Sequence, residues 1–288
     1  MSTTMPRVQL SVLRVGHCRH PECIAIAGGA WRMAEFPALV GLIRHPSAGA
    51  ILFDTGYAEH FFAATARFPE RLYRWVTPVD LAPSECLAAQ LAREGIALQE
   101  VSAVFVSHLH ADHIAGLRDL PRARIWCADA ALRWARSLGR LARLRQATLL
   151  ELLPEDFGRR HAPIESAARA ELPAAWRALG DGHDLLGDGS LWAVPLPGHA
   201  RGHYGLLLRL PDDRELLLAG DASWGLRDGR LRGAAWPTRM LSDDWALQQS
   251  TLRRLQSVLD SSDGSRMILP AHCAHSFANL PPSLRARA

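Results

Sequence analysis

Four residues able to bind a metal or move a proton crowd into one short stretch: His108, His110, Asp112 and His113. They follow Val101 to Ser107, a β-branched and apolar run of the kind that forms a strand buried on both faces. The four therefore fall on the loop at the carboxyl end of a core strand, where α/β proteins assemble their sites. His108 and His110 are two residues apart and can point together from an extended turn, which leaves Asp112 and His113 for a second point nearby. Imidazole and carboxylate are the donors that zinc and other borderline divalent ions take. A solvated loop would account for one such histidine; four ligand types behind a core strand favour a metal.

The same chemistry recurs at other strand ends. Pro197-Gly198-His199, with His203 four residues on, follows the apolar run LWAVPL. Gly220-Asp221 follows ELLLA, and Pro270-Ala271-His272 follows RMIL. Each alone could be a turn, but their recurrence points to one shared site. His275 rivals His272 for the last position, and His272 is preferred because it is nearer the strand. A separate cluster, His17, Cys18, His20 and Cys23 in HCRHPEC, has donors for zinc but fits no finger spacing. It is expected to form a structured loop near the cleft mouth, before the first clear strand. Cys273 is expected to be a small buried thiol.

Taken in order, Asp54-Thr55-Gly56, HLHADH, PGHARGH, GDAS and Pro270-Ala271-His272 resemble the motifs of the metallo-β-lactamase-fold hydrolases, and the resemblance covers most of the chain. It implies an α/β fold, a four-layer αββα sandwich, with two divalent metal ions in the cleft: zinc first, iron or manganese otherwise. His108, His110 and His199 would hold one ion, Asp112, His113 and His272 the other, and Asp221 would bridge them. Asp112, Asp221 and His203 would be the catalytic groups, and Asp54 would orient a histidine. Two ions bring four positive charges; two carboxylates and a bridging hydroxide offset three. The remaining charge would polarise a carbonyl or phosphoryl oxygen, with metal-bound hydroxide as nucleophile.

Within that fold, Asp112 argues against antibiotic hydrolysis. The nearer resemblance is to the glyoxalase II and N-acyl homoserine lactonase branch, which implies cleavage of an ester, lactone or thioester. Those lactonases carry tyrosine three residues after the bridging aspartate, where this chain has Trp224. An indole donates a hydrogen bond but does not relay a proton, so activated esters and thioesters are expected to outpace lactones. The alternatives are a phosphodiesterase, with the arginines of Arg133 to Arg145 meeting phosphate, or a metal-bound effector with little turnover.

The elements that must position these residues are legible in part. Strands are expected at Phe36 to Arg44, Ala50 to Phe53, Val101 to Ser107, Ala123 to Cys127, Leu191 to Leu196, Gly205 to Leu210, Glu215 to Ala219 and Arg266 to Leu269. Helices are expected from Pro83 to Gly95 and from Asp243 to Leu259, with a helical insertion around residues 128–180 supplying most substrate contacts. Of the nine tryptophans most should be core, with Trp224 and Trp236 lining the pocket.

Composition excludes several classes. The 288 residues are 48% apolar and 22% charged, ordinary for a globular chain and read here as one domain spanning 1–288. All 33 basic residues are arginine, which removes lysine Schiff-base chemistry. A net charge of +4 is too mild to imply nucleic acid. Five scattered cysteines make no disulfide framework. No secretory signal or membrane span is evident, so a cytoplasmic bacterial enzyme is expected, acting on a small-molecule substrate without a membrane partner, as monomer or homodimer.

Overall fold

The computed structural model describes residues 5–286. Strands β1 (Gln9–Pro21), β2 (Met33–His45), β3 (Gly49–Phe53), β4 (Val79–Asp80), β5 (Val101–Phe105), β6 (Arg124–Cys127) and β7 (His161–Pro163) form one sheet, in the order β4-β1-β2-β3-β5-β6-β7. A second sheet uses β8 (Ala168–Glu171), β9 (Asp181–Asp184), β10 (Leu191–Pro195), β11 (Tyr204–Arg209) and β12 (Glu215–Gly220). After a hairpin of β13 (Gly225–Arg227) and β14 (Arg230–Arg232), β15 (Arg266–Pro270) pairs with β12, giving the order β15-β12-β11-β10-β9-β8. Strands β3, β5, β6 and β7 run parallel, as do β12 and β15, and the remaining neighbours in these two sheets run antiparallel.

Strand alternation explains why these strands read as nearly continuous apolar runs. In β5, Ala103 and Phe105 join a core shared with Leu206, Leu208, Leu216 and Leu218 of the second sheet. Val101, Val104 and Val106 join another, with Leu87 and Leu91 of the helix Leu87–Arg93 and Leu132 of the helix Asp129–Ser137. On the far side, Leu207, Leu217 and Ala219 pack with Leu255 and Val258 of the helix Trp245–Asp260. Three apolar layers thus hold four structural layers, αββα. The last helix starts where the Asp244 side chain accepts a hydrogen bond from the Leu247 N–H. No helix among the described residues is long and apolar enough to cross a membrane.

All eight expected strands are present, with ends shifted by a few residues. Two regions differ from expectation. HCRHPEC is not a loop: His17 to Pro21 end the long strand β1, which pairs with β2. Successive strand residues face opposite sides, so this cluster does not converge on one ion. His17 lies 3.6 to 3.9 Å from the Glu35, Asp80 and Glu85 carboxylates, while Cys18 and His20 face the cleft.

Residues 128–180 are not wholly helical. The helices Asp129–Ser137 and Arg140–Arg145 open the segment, but β7 and β8 then pair with β6 and β9. The segment carries the chain from the edge of one sheet to the edge of the other. Pro154, Pro163 and Pro173 leave runs too short to sustain helix nucleation.

Phe105 is fully buried and stacks on Phe53 at 5.6 Å between centroids. Phe105→Ala should cost about 3–5 kcal/mol in chemical denaturation. Trp31→Ala, at a side chain 91% exposed, should change stability by no more than about 0.5 kcal/mol.

Candidate metal centre

Every residue singled out for the site stands just past the carboxyl end of a strand: Asp54 after β3, His108 to His113 after β5, His199 and His203 after β10, Asp221 after β12 and His272 after β15. Packing the two sheets face to face brings these ends together. Two groups result, His108, His110, His199 and Asp221 in one, Asp112, His113 and His272 in the other, each with its donor atoms within 4.8 Å of one another.

Asp221 lies between the groups. Its Oδ1 is 3.1 Å from His272 Nε2 and 3.3 Å from His113 Nε2, and its Oδ2 is 3.2 Å from His199 Nε2. Yet Oδ1, His113 Nε2 and His108 Nε2 make no hydrogen bond, although all are buried. Buried polar atoms left unpaired in this way are costly. Atoms so close without aiming at one another share a target between them. Two donors bound at about 2.0–2.1 Å to one tetrahedral ion lie roughly 3.3 Å apart, which these spacings match. The residues present therefore fit divalent ions.

The supporting contacts fix which ring nitrogen is free. His113 Nδ1–H donates to Asp54 Oδ2 at 2.7 Å, and Ser107 anchors Asp54 through its N–H (2.7 Å) and hydroxyl (2.8 Å). Asp54 thus orients a histidine, as expected. His272 Nδ1–H donates to the Pro37 carbonyl at 2.8 Å, which leaves Nε2 toward Asp112 and Asp221. Gly220 sits at φ +52, where a Cβ would lie 2.6 Å from His203 Nε2, so close approach and backbone both require glycine.

His203 has two possible roles by sequence, catalytic or supporting, and its contacts favour the second. Its Nδ1–H donates to the Leu196 carbonyl and its Nε2 accepts the Asp221 N–H, at 2.9 and 3.1 Å. Burial, followed by the neighbouring His199, lowers its pKa to about 3. With both nitrogens engaged by backbone and the ring neutral, His203 positions Asp221 and has no proton to give a substrate. His275 is exposed on the helix Ala274–Ala278, beside Asn279, and takes no part in the cluster. Cys273 is buried and its sulfur caps that helix.

The electrostatics separate the two groups. Burial first, then neighbouring histidines, hold His108 and His110 well below the usual imidazole range. Burial also opposes charge on His113, but Asp112, Asp54 and Asp221 together push it up to about 10. His272 is raised well above its usual value because Asp221 and Asp112 outweigh burial.

Above these residues opens a cavity of about 630 Å³ with a mainly apolar wall. Arg145 is its one arginine, and residues 128–180 add only Leu141, Leu144 and Ala147 besides. The expected dominance of that segment is therefore corrected: it gives four lining residues, while β1, the helix Arg71–Val76 and the turn Trp236–Leu241 together give nine. Trp224 lines the cavity; Trp236 points outward, 64% exposed, beneath the Arg239 guanidinium. Tyr57 and Tyr73 also line it and were not anticipated, though Tyr57 directly follows the Asp54-Thr55-Gly56 turn. Burial, outweighing the opposing pull of His272, pushes the Cys18 thiol up to about 11, which disfavours the thiolate there.

Comparison with known proteins gives the family. The family model described as the Metallo-beta-lactamase superfamily matches residues 33–260, and the chain belongs to that superfamily. A probable metallo-hydrolase of Mycobacterium tuberculosis is 29% identical over 191 residues, 64% of this chain and 57% of that protein. The N-acyl homoserine lactonase AttM of Azorhizobium caulinodans is 30% identical over 199 residues, 67% of each chain. Among solved structures, an N-acyl homoserine lactone hydrolase with N-hexanoyl-L-homoserine at its metal centre superposes with a TM-score of 0.70 at 17% identity, covering 96% of this chain and 98% of that one.

Two outcomes follow for the centre. The neighbouring carboxylates favour protons on His113 and His272, so an ion bound there should displace protons. Zinc affinity should rise as pH increases from about 6 to 9, and calorimetry in buffers of differing ionisation enthalpy should show proton release. Asp221→Ala should lose most bound metal while remaining folded by circular dichroism, whereas His275→Ala should keep it.

Proposed function

We propose that this chain is a hydrolase dependent on two divalent ions, zinc by the chemistry of its donors, that cleaves ester, thioester or lactone bonds of apolar acyl compounds. One observation carries the reading: Asp221 turns each carboxylate oxygen toward a different histidine group at the floor of an apolar cavity. His108, His110 and His199 would hold one ion, Asp112, His113 and His272 the other, with Asp221 shared. Bound there, such ions supply a water with a pKa of about 7 and a Lewis acid for a carbonyl oxygen.

The chain's own residues do the rest. Asp54 and Ser107 hold His113 and His108 in orientation, and His203 fixes the backbone of Asp221. Phe36, Tyr57 and Leu144 offer an acyl group an apolar wall. Trp224 stands where the related lactonases carry tyrosine, and its indole cannot pass a proton to a poor leaving group. The lactonases among the relatives favour carbonyl chemistry here too.

The phosphodiesterase alternative has less support. Of the arginines from Arg133 to Arg145, only Arg145 reaches the cavity, and Arg140 is paired with Glu70. On zinc-loaded protein, kcat/KM should be highest for an activated ester or thioester, lower for an N-acyl homoserine lactone and lowest for bis-p-nitrophenyl phosphate. Phosphodiester cleavage above both carbonyl classes would install the phosphodiesterase instead. No turnover of any substrate would leave a metal-bound binding protein.

A further inference from the structure

Of the eleven large hydrophobic side chains exposed among the described residues, five line one cavity. Ile24, Leu72, Val76, Leu141 and Met240 are all exposed, and all line the 630 Å³ cavity above the metal centre. The apolar surface continues outward from them. Phe68 and Trp75, ring edge to ring face at 5.1 Å, flank Leu72, and Trp236 stands beside the wall residue Pro237. Scattered exposed apolar residues are ordinary; a contiguous collar of aromatic and aliphatic side chains marks a surface that something covers.

The charges in the collar say what covers it. Arg71, Arg74 and Arg239 have no carboxylate partner among the described residues; their guanidinium groups lie 5.7, 5.9 and 4.5 Å from the rings of Trp75, Phe62 and Trp236. Arg67 and Arg145 are also exposed there. Glu70, on the same stretch as Arg67 and Arg71, is already bound by Arg140. A second copy would present the same face in an isologous pair, setting arginines against arginines. Tryptophan and arginine interleaved around apolar side chains match instead the headgroup level of a bilayer, where rings sit at the boundary and guanidinium groups meet phosphate.

We infer that the collar is a docking surface for an anionic lipid bilayer, on which the chain lies with its cavity mouth toward the headgroups. Peripheral docking needs no membrane-spanning helix, and none is present among the described residues. The inference replaces the expectation of no membrane partner, because its residues are scattered over some two hundred positions and form no apolar run. It does not depend on which bond the metal centre cleaves.

The test is flotation of the full chain with vesicles of phosphatidylcholine, with and without phosphatidylglycerol. Binding should be at least about fivefold stronger on the anionic vesicles and should weaken with added salt. The double variant Trp75→Ser, Trp236→Ser should bind about tenfold less with an unchanged melting temperature, since both side chains are exposed. Asp221→Ala should bind like the parent, which separates the docking surface from the metal reading. Failure to float with anionic vesicles would overturn the inference. So would a dimer, seen by light scattering, that Trp75→Ser dissociates, because the collar would then be covered by a second copy.

Discussion

The structure is organised around a carboxylate that its neighbours crowd without satisfying. Asp221 is buried with three imidazole nitrogens within 3.3 Å, and its Oδ1 accepts no hydrogen bond from any of them. Attraction between these carboxylates and imidazoles outweighs burial: it raises His113 and His272 and lowers Asp112 to about 2. A divalent ion, approached by several donors at once, would relieve this arrangement better than protons do.

Holding that geometry is the task of the sandwich. The ligand candidates come from loops far apart in the chain, and only rigid strand ends bring them into register. β12 and β15 run parallel, so Asp221 and His272 emerge side by side; β3 and β5 do the same for Asp54 and His108. The two pairs meet because the Phe105 and Leu218 layer holds the sheets face to face. Contacts beyond the donors then fix each ring: Asp54 on His113, Pro37 on His272, Ser107 on His108. Second contacts of this kind set the tautomer and the aim of a metal ligand.

Much of the site was legible because its residue types are rare together and follow runs of buried strand. HLHADH behind VSAVFVS needs no tertiary knowledge to suggest a metal, and β10, β11, β12 and β15 are apolar enough to be read directly. The unread parts have physical causes. β1 is interrupted by a bulge between Arg14 and His17, with Gly16 at φ +76, so its alternation breaks where its histidines and cysteines begin. The stretch 128–180 has helical spacing at its start, yet its later residues pair at sheet edges, and such pairing leaves no local pattern. His203 has the spacing of a ligand, and only the backbone contacts of the folded chain show that both its nitrogens are taken. The cavity wall was least visible, since β1, the helix Arg71–Val76 and the turn Trp236–Leu241 meet only in three dimensions.

The apolar cavity and the paired histidine groups make sense together under the proposed function: a centre able to polarise a carbonyl would lie beneath an apolar wall. Everything rests on two ions sharing Asp221. The most direct measurement is anomalous diffraction at the zinc edge from crystals of zinc-loaded protein. Two peaks are predicted, one among His108, His110 and His199, the other among Asp112, His113 and His272, each beside one oxygen of Asp221. A single peak, or a second peak away from Asp221, would contradict the shared-carboxylate centre.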